Sequence, residues 1–277
     1  MAQDSGVPSN YLEGGKTGGV DLKPVDPPFL HDRVEDYFER RLRIECAGQH
    51  PLKGRIPGKD AVRLRTNDYL CLTADQRVID AEVRALTANG HGDSVSRVWG
   101  HQQKDALRAF EERMAELVQA EDAVVCSSGY TANVGLIQAM AAPKTPVYLD
   151  MKAHMSLWEG VASARAVGRP FRHNDAEHLT RLIERHGPGI IVVDALYSTD
   201  GAVCNLLDFV RVSEALGCVL IVDETHSFGT HGPMGAGLVV KEGLADRVHF
   251  RTVGLSKAVA SRGGIVLCSR RNAEFFR

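Results

Sequence analysis

The chain lacks any strong imbalance of charge: its 277 residues carry a formal net charge of -2, with 25% charged residues. That excludes a broad electrostatic grip on nucleic acid or on an anionic membrane surface. Local basic stretches such as Arg40-Arg41-Leu42-Arg43 read as a solvated helix face. Long apolar runs are missing too, none approaching the roughly 18 residues that a membrane span needs. Met1 to Val20 holds Gly, Ser and Asp but no apolar run, so no secretory signal is expected there and a cytoplasmic location is. The six cysteines, Cys46, Cys71, Cys126, Cys204, Cys218 and Cys268, show no CxxC pairing. Several lie inside apolar runs, as in Gly217-Cys218-Val219-Leu220, and read as buried thiols rather than a disulfide frame. There is no internal repeat. What is present is a globular composition, 44% hydrophobic, on a chain long enough to bury a substantial core.

The chain divides by pattern. Residues 1–28, Gly- and Pro-rich and ending in Pro27-Pro28, read as a flexible arm. Residues 29–60 read as an N-terminal helical segment, with a helix over Phe29 to Glu45 whose Leu30, Val34, Tyr37, Phe38 and Leu42 fall at helical spacing. Residues 61–277 read as one large domain. Within it a helix is expected from about His101 to Gln119, with Leu107, Phe110, Met114, Leu117 and Val118 on one face. Beyond that, β-rich runs appear at Ala123 to Cys126, Pro146 to Leu149, Gly189 to Val193, Cys218 to Val222, Val248 to Val253 and Ile265 to Cys268. Helical stretches alternate with the first of them: Ala132 to Met140, Leu157 to Ala166, Glu177 to Arg185 and Leu207 to Leu216. Apolar strands alternating with helices predict an α/β domain with a mainly parallel central sheet flanked by helices. In such folds ligands bind beyond the carboxyl ends of the strands.

The polar residues at those ends are therefore the candidates. Asp223-Glu224-Thr225-His226 follows the apolar run Cys218 to Val222 at once. A carboxylate there is partly desolvated and calls for a cationic partner such as a pyridinium nitrogen; the alternative is an Asp that caps the next turn. Gly254-Leu255-Ser256-Lys257-Ala258 follows the next run, and a lysine beside small residues can be held in a pocket with its amine activated, the alternative being a solvated surface lysine. An acid and a lysine on successive strand ends form the pair that pyridoxal 5'-phosphate (PLP) sites combine. Ser127-Ser128-Gly129-Tyr130 opens a helix after a strand, which suits a phosphate or merely a cap. His154, after another strand, is either structural or ring-facing, and Ser198, within Ala195 to Gly201, carries a hydroxyl able to reach a ligand.

Asn67-Asp68-Tyr69-Leu70, Ser128-Gly129-Tyr130-Thr131-Ala132-Asn133, Val222-Asp223-Glu224-Thr225-His226 and Ser256-Lys257 together resemble the α-oxoamine synthases, fold-type I PLP-dependent transferases. Ala153-His154-Met155-Ser156-Leu157-Trp158-Glu159-Gly160 is most similar to the branch that makes long-chain α-hydroxyketone quorum-sensing signals. So are Arg185 to Asp194 and Gly229-Thr230-His231-Gly232-Pro233. The resemblance implies that Lys257 bonds the cofactor and later moves the substrate Cα proton. It implies that Asp223 keeps the pyridine nitrogen protonated, that His154 stacks on the ring and that His226 hydrogen-bonds its phenolic oxygen. Ser128, Gly129 and Tyr130 would surround the phosphate, and Ser198 would lie near the ring.

The implied reaction joins a small amino acid to an acyl-CoA, releasing CoA and CO2 and leaving an α-aminoketone, in a homodimer. Two departures stand out. The family places Thr or Ser three residues before the lysine to bind phosphate, whereas this chain has Gly254, so Thr252 or Ser256 is expected to compensate. The family also continues past the equivalent of Arg277 into a small C-terminal domain, which is expected to be absent here. Three rival readings are kept: another α-oxoamine synthase, of the 8-amino-7-oxononanoate synthase or serine palmitoyltransferase type; an inactive homologue that binds only cofactor or a partner; and a metal hydrolase built on Asp223, His226 and His231.

Overall fold

The computed structural model describes residues 27–39, 66–90 and 106–277. The chain forms two compact units, Met1–Arg63 and Leu64–Arg277. In the first, helix α1 spans Pro28–Tyr37 and starts with a proline, whose fixed φ and missing N–H suit a first turn. The expected helix thus begins at the predicted place; its continuation beyond residue 39 lies outside the described residues, as does the start of the helix expected from His101.

The second unit begins with α2, Gln76–Asn89, N-capped by Asp75 through Arg77 N at 2.9 Å and ended by Gly90. This helix escapes the reading of the sequence. Helix α3, Ala106–Leu117, leads into the sheet. Its strands are β1 Asp122–Cys126, β2 Pro146–Asp150, β3 Val167–Phe171, β4 Ile190–Asp194, β5 Val219–Asp223, β6 Phe250–Gly254 and β7 Gly264–Cys268. Their order across the sheet is β1-β7-β6-β5-β4-β2-β3. Only β7 runs against its neighbours, β1 and β6. Consequently β1, β2, β4, β5 and β6 all end on the same edge, as the pattern predicts for a mainly parallel sheet. Strand β3 escapes the sequence reading because Val167-Gly168-Arg169-Pro170-Phe171 lacks an apolar run; its place at the sheet edge is where a proline is tolerated.

Successive residues of the central strands point to opposite faces, so the apolar runs feed two cores. Ile191, Val193, Leu220 and Val222 pack with Leu179 and Ile183 of α6, Ala176–His186, and with Phe209 and Val210 of α7, Leu206–Ala215. Val192, Ile221 and Phe250 pack with Leu136 and Ile137 of α4, Gly129–Met140, and with Leu157 and Val161 of α5, Met155–Ser163. Each such side chain, removed from water, contributes about 1.5–3 kcal/mol. A third cluster joins Met114 and Val118 to Val253, Ile265 and Leu267, and includes Val240 of α8, Leu238–Lys241. Helix α9, Arg270–Phe276, is N-capped by Ser269. Among the described residues no helix is long and apolar enough to cross a membrane.

Candidate active site

Parallel register sets the site. Asp194 pairs with Asp223 across β4 and β5, and Asp223 pairs with Thr252 across β5 and β6, so three polar residues stand side by side where the strands end. Asp223 is 5% exposed. Its Oδ1 accepts from Thr225 N at 2.9 Å and its Oδ2 from Asn133 Nδ2 at 2.7 Å. Asn133, buried on α4, also donates to Ser156 Oγ (2.9 Å) and accepts from Thr252 Oγ1 (2.6 Å). This one amide fastens α4, α5, β5 and β6 around the carboxylate, and a buried network satisfied at every member is rigid.

His154 caps α5. Its Nδ1 lies 2.7 Å from Ser156 Oγ and receives Ser156 N at 3.3 Å, so Nδ1 is the acceptor and Nε2 carries the proton. His154 N donates to Asp194 Oδ1 at 3.2 Å. Asp194 is 2% exposed, and burial, with the charge of Asp223 next in weight, raises its carboxyl well above the ordinary value. Asp150, at the end of β2, is fully buried but well provided for. It accepts from Lys152 N (2.8 Å), Asn174 N (2.8 Å) and Tyr197 Oη (2.9 Å), and lies 2.9 Å from His173 Nδ1. These bonds hold the turn between Asp150 and His154.

Lys257 sits half-buried after β6, its Nζ 2.6 Å from His226 Nε2. Burial lowers the Lys257 amine below its ordinary value, against the pull of Asp223 and Asp194. His226 is pushed down to about 4, by burial and then by the neighbouring Lys257, and is therefore neutral near pH 7. The other ring nitrogen, Nδ1, lies 2.6 Å from Tyr69 Oη.

Ser128 and Thr131 form a capping box at the start of α4, Ser128 Oγ accepting from Thr131 N at 3.0 Å. Gly129 follows, and a Cβ there would meet Gly254 Cα at 2.7 Å, so two glycines let β6 reach the helix N-terminus. Tyr130 is exposed, its ring 6.4 Å from that of His154. Ser198 and Ser256 are exposed.

The structure brings Lys257, His226, Asp223, His154, Ser128 and Gly129 to one sheet edge. Thr252 lies beside Asp223 but is fully buried, with its hydroxyl donated to Asn133. Thr225, which the sequence reading passed over, takes up the space beside Gly254. A Cβ on Gly254 would meet Thr225 Cγ2 at 3.0 Å, and Gly254 N donates to Thr225 Oγ1 at 2.8 Å. Asn133, Ser156, Asp194 and Tyr69 were also given no role. Asp194 has a local signal as the acid closing the run Ile190 to Val193, and Asn133, Ser156 and Tyr69 lie inside quoted motifs. The metal reading finds no support: His231 Nδ1 pairs with Thr230 Oγ1 at 2.9 Å, and no cluster able to hold a metal occurs among the described residues.

Comparison with known proteins bears on the family and the fold. The CAI-1 autoinducer synthase of Vibrio campbellii is 40% identical over 245 residues, covering 88% of this chain and 62% of that protein. A putative 8-amino-7-oxononanoate synthase of Gloeobacter violaceus is 35% identical over 257 residues, 91% of this chain and 65% of the relative. Among solved structures, a serine palmitoyltransferase from S. paucimobilis with bound PLP superposes with a TM-score of 0.77 at 27% identity, covering 91% of this chain and 66% of that one. The chain thus spans just under two thirds of the length of these relatives, and its fold is that of the PLP-dependent transferases. Residues 59–277 match the family described as aminotransferase class I and II, and the chain belongs to that family.

Proposed function

We propose that this chain carries the PLP-binding part of an α-oxoamine synthase, an acyltransferase that condenses a small amino acid with an acyl-CoA to an α-aminoketone for autoinducer synthesis. The observation that carries this reading is the meeting of Lys257 with neutral His226 at 2.6 Å, beside the paired strand ends of Asp223 and Asp194.

The residues fit the cofactor. Burial disfavours the charged amine of Lys257, which must be neutral to bond an aldehyde. Asp223 offers a buried carboxylate for a ring N–H, and the N-terminus of α4 approaches through Gly129, as phosphate requires. When bound, PLP supplies an electron sink for a bond broken at the amino acid Cα.

Each side chain then has a task. Lys257 would bond the cofactor and, once displaced by the amino acid, take the Cα proton on Nζ. Asp223, locked by Asn133 and Thr225, would hold the pyridine proton, and His154 would cover the ring face from the capped start of α5. His226 would donate to the phenolic oxygen. Gly129 and Tyr130 would present N–H donors to the phosphate, with Ser128, whose own N–H is held by Thr131 Oγ1, at its edge. The Thr225 hydroxyl would take the place of the family's Thr or Ser at Gly254, because Thr252 is spent on Asn133. Ser198 and Ser256 would line the exposed rim. The active species would be a cytoplasmic homodimer.

The 40% identity to an autoinducer synthase favours that branch, and the 35% identity to an 8-amino-7-oxononanoate synthase supports the second reading, another α-oxoamine synthase. The test supplies the full chain with PLP, small amino acids and acyl-CoAs of graded length, and follows free CoA thiol and product mass. Thiol release that requires both amino acid and Lys257 is expected, greatest with long acyl chains; a short-chain optimum would move the assignment to the second reading. PLP binding without thiol release from any acyl-CoA would overturn both.

A further inference from the structure

The second nitrogen of His226 has a partner that the proposed function leaves unused. Tyr69 comes from the turn before α2, 157 residues from His226 in sequence, and places its hydroxyl 2.6 Å from Nδ1. The rings are tilted by 52° with centroids 6.1 Å apart, so the hydroxyl meets the ring nitrogen rather than the ring face. The same hydroxyl lies 3.2 Å from Asn67 Oδ1, which can only accept, so two acceptors compete for its one proton and Nδ1, at 2.6 Å, is the nearer. Three groups therefore stand in line, Tyr69 Oη, the imidazole of His226, and Lys257 Nζ at 2.6 Å from Nε2.

A neutral imidazole has one N–H, and the bond made by one nitrogen decides which nitrogen carries it. With Nδ1 accepting from Tyr69, the proton must sit on Nε2 and point at Lys257. The opposite arrangement would make Nε2 an acceptor and hold Lys257 as an ammonium. Burial, which lowers both Lys257 and His226, works against that. The charged and titratable groups facing the pair are Asp223 from β5, His154 from the start of α5, Tyr69 from its turn and, toward Lys257, Asp194 from β4.

We propose that Tyr69 is a positioning residue whose hydroxyl fixes His226 in its Nε2–H form, so that His226 presents a donor to the Lys257 amine and to whatever oxygen or nitrogen later occupies that place. The proposal rests on the PLP reading for its purpose, but the hydrogen-bond chain belongs to the protein alone. Its test therefore begins without cofactor.

In the full chain labelled with 15N-histidine, with the His226 signals assigned by their loss in His226→Gln, the wild type should show a protonated Nε2 and an accepting Nδ1. Tyr69→Phe should mix or reverse them. Freed to accept from the ammonium, His226 in Tyr69→Phe should also raise the midpoint of Lys257 reactivity. That midpoint is read from pH-dependent borohydride trapping of pyridoxal on the Lys257 peptide. A rise of about one unit is expected, the size of one hydrogen bond, or about tenfold less reactive amine at a fixed pH below it. A wild-type proton on Nδ1, or a midpoint in Tyr69→Phe that stays or falls, overturns the proposal. If the tautomer and midpoint behave as expected while PLP gives no visible band, the cofactor reading fails and the role of Tyr69 stands.

Discussion

Two parts of the second unit bury carboxylates, and they treat them in opposite ways. At the start of β1, Asp122 is 2% exposed and accepts from Arg108 at 2.7 Å and from both Nη atoms of Arg277 at 3.0 Å. Glu111, fully buried, joins the same cluster and takes Val125 N at 2.8 Å. Burial works to raise Asp122, but the bonds from Arg277 and Arg108 outweigh it and hold the carboxyl below its ordinary value. At the opposite edge of the sheet, Asp194 and Asp223 are equally enclosed, yet no arginine pairs with either among the described residues. Asp194 rises instead, and the basic group it faces is Lys257, itself lowered. Burial with compensation is a clamp that joins α3, β1 and α9. Burial with neutral hydrogen-bond donors in place of arginine leaves buried acids, Asp194 with perturbed protonation, beside an amine, the kind of cluster that marks a candidate functional site.

The contrast can be broken first at the clamp. Arg108→Ala combined with Arg277→Ala removes the two arginines from the buried carboxylate of Asp122, and should cost about 2–4 kcal/mol in a denaturant titration, less than a fully buried pair because both arginines reach solvent. Asp223→Asn should do the reverse. It keeps the shape and most of the fold's stability, while Cα-proton exchange of an added amino acid with PLP falls about 100-fold, the usual effect of removing one preorganised charge.

The pH dependence sharpens the comparison. Asp194 has a raised folded value, so its contribution to stability is full below the unfolded value of 3.8 and fades as pH rises through the folded one. Asp122 has a lowered folded value, so its contribution is present above 3.8 and fades as pH falls through the folded one. Asp194→Asn should therefore flatten the loss of thermal stability on the alkaline side, and the double arginine variant the loss on the acid side. The smallest effect is expected from Thr225→Val. It keeps the space beside Gly254 filled and removes one hydroxyl, so PLP retention on dilution should weaken about 5- to 10-fold.

How much of this was legible beforehand follows from the same contrast. The central strands announce themselves because Ile190 to Val193 and Val219 to Val222 are buried on both faces and read as apolar runs. The polar strand ends follow from them, which is how Asp223, His226, Lys257 and His154 were reached. Strand β3 was not legible, since a partly exposed edge strand can carry Gly168 and Pro170. Nor was Thr225 beside Gly254: two adjacent strand ends exchange the position of a side chain there, and only the distance between them shows it. Asn133 and Tyr69 were visible as parts of motifs, but their bonds run to partners 90 and 157 residues away. The Arg277 clamp, 155 residues from Asp122, had no local signal at all.

The central claim is that the edge bearing Asp223 and Asp194 binds PLP through Lys257. It is tested most directly by the visible absorbance of the purified chain with added PLP, before and after borohydride, in the wild type and in Lys257→Ala. A band in the wild type that borohydride abolishes while fixing label on the Lys257 peptide, and that the variant lacks, is the predicted result. A wild type with no band, or a variant that forms the same band, would contradict the account.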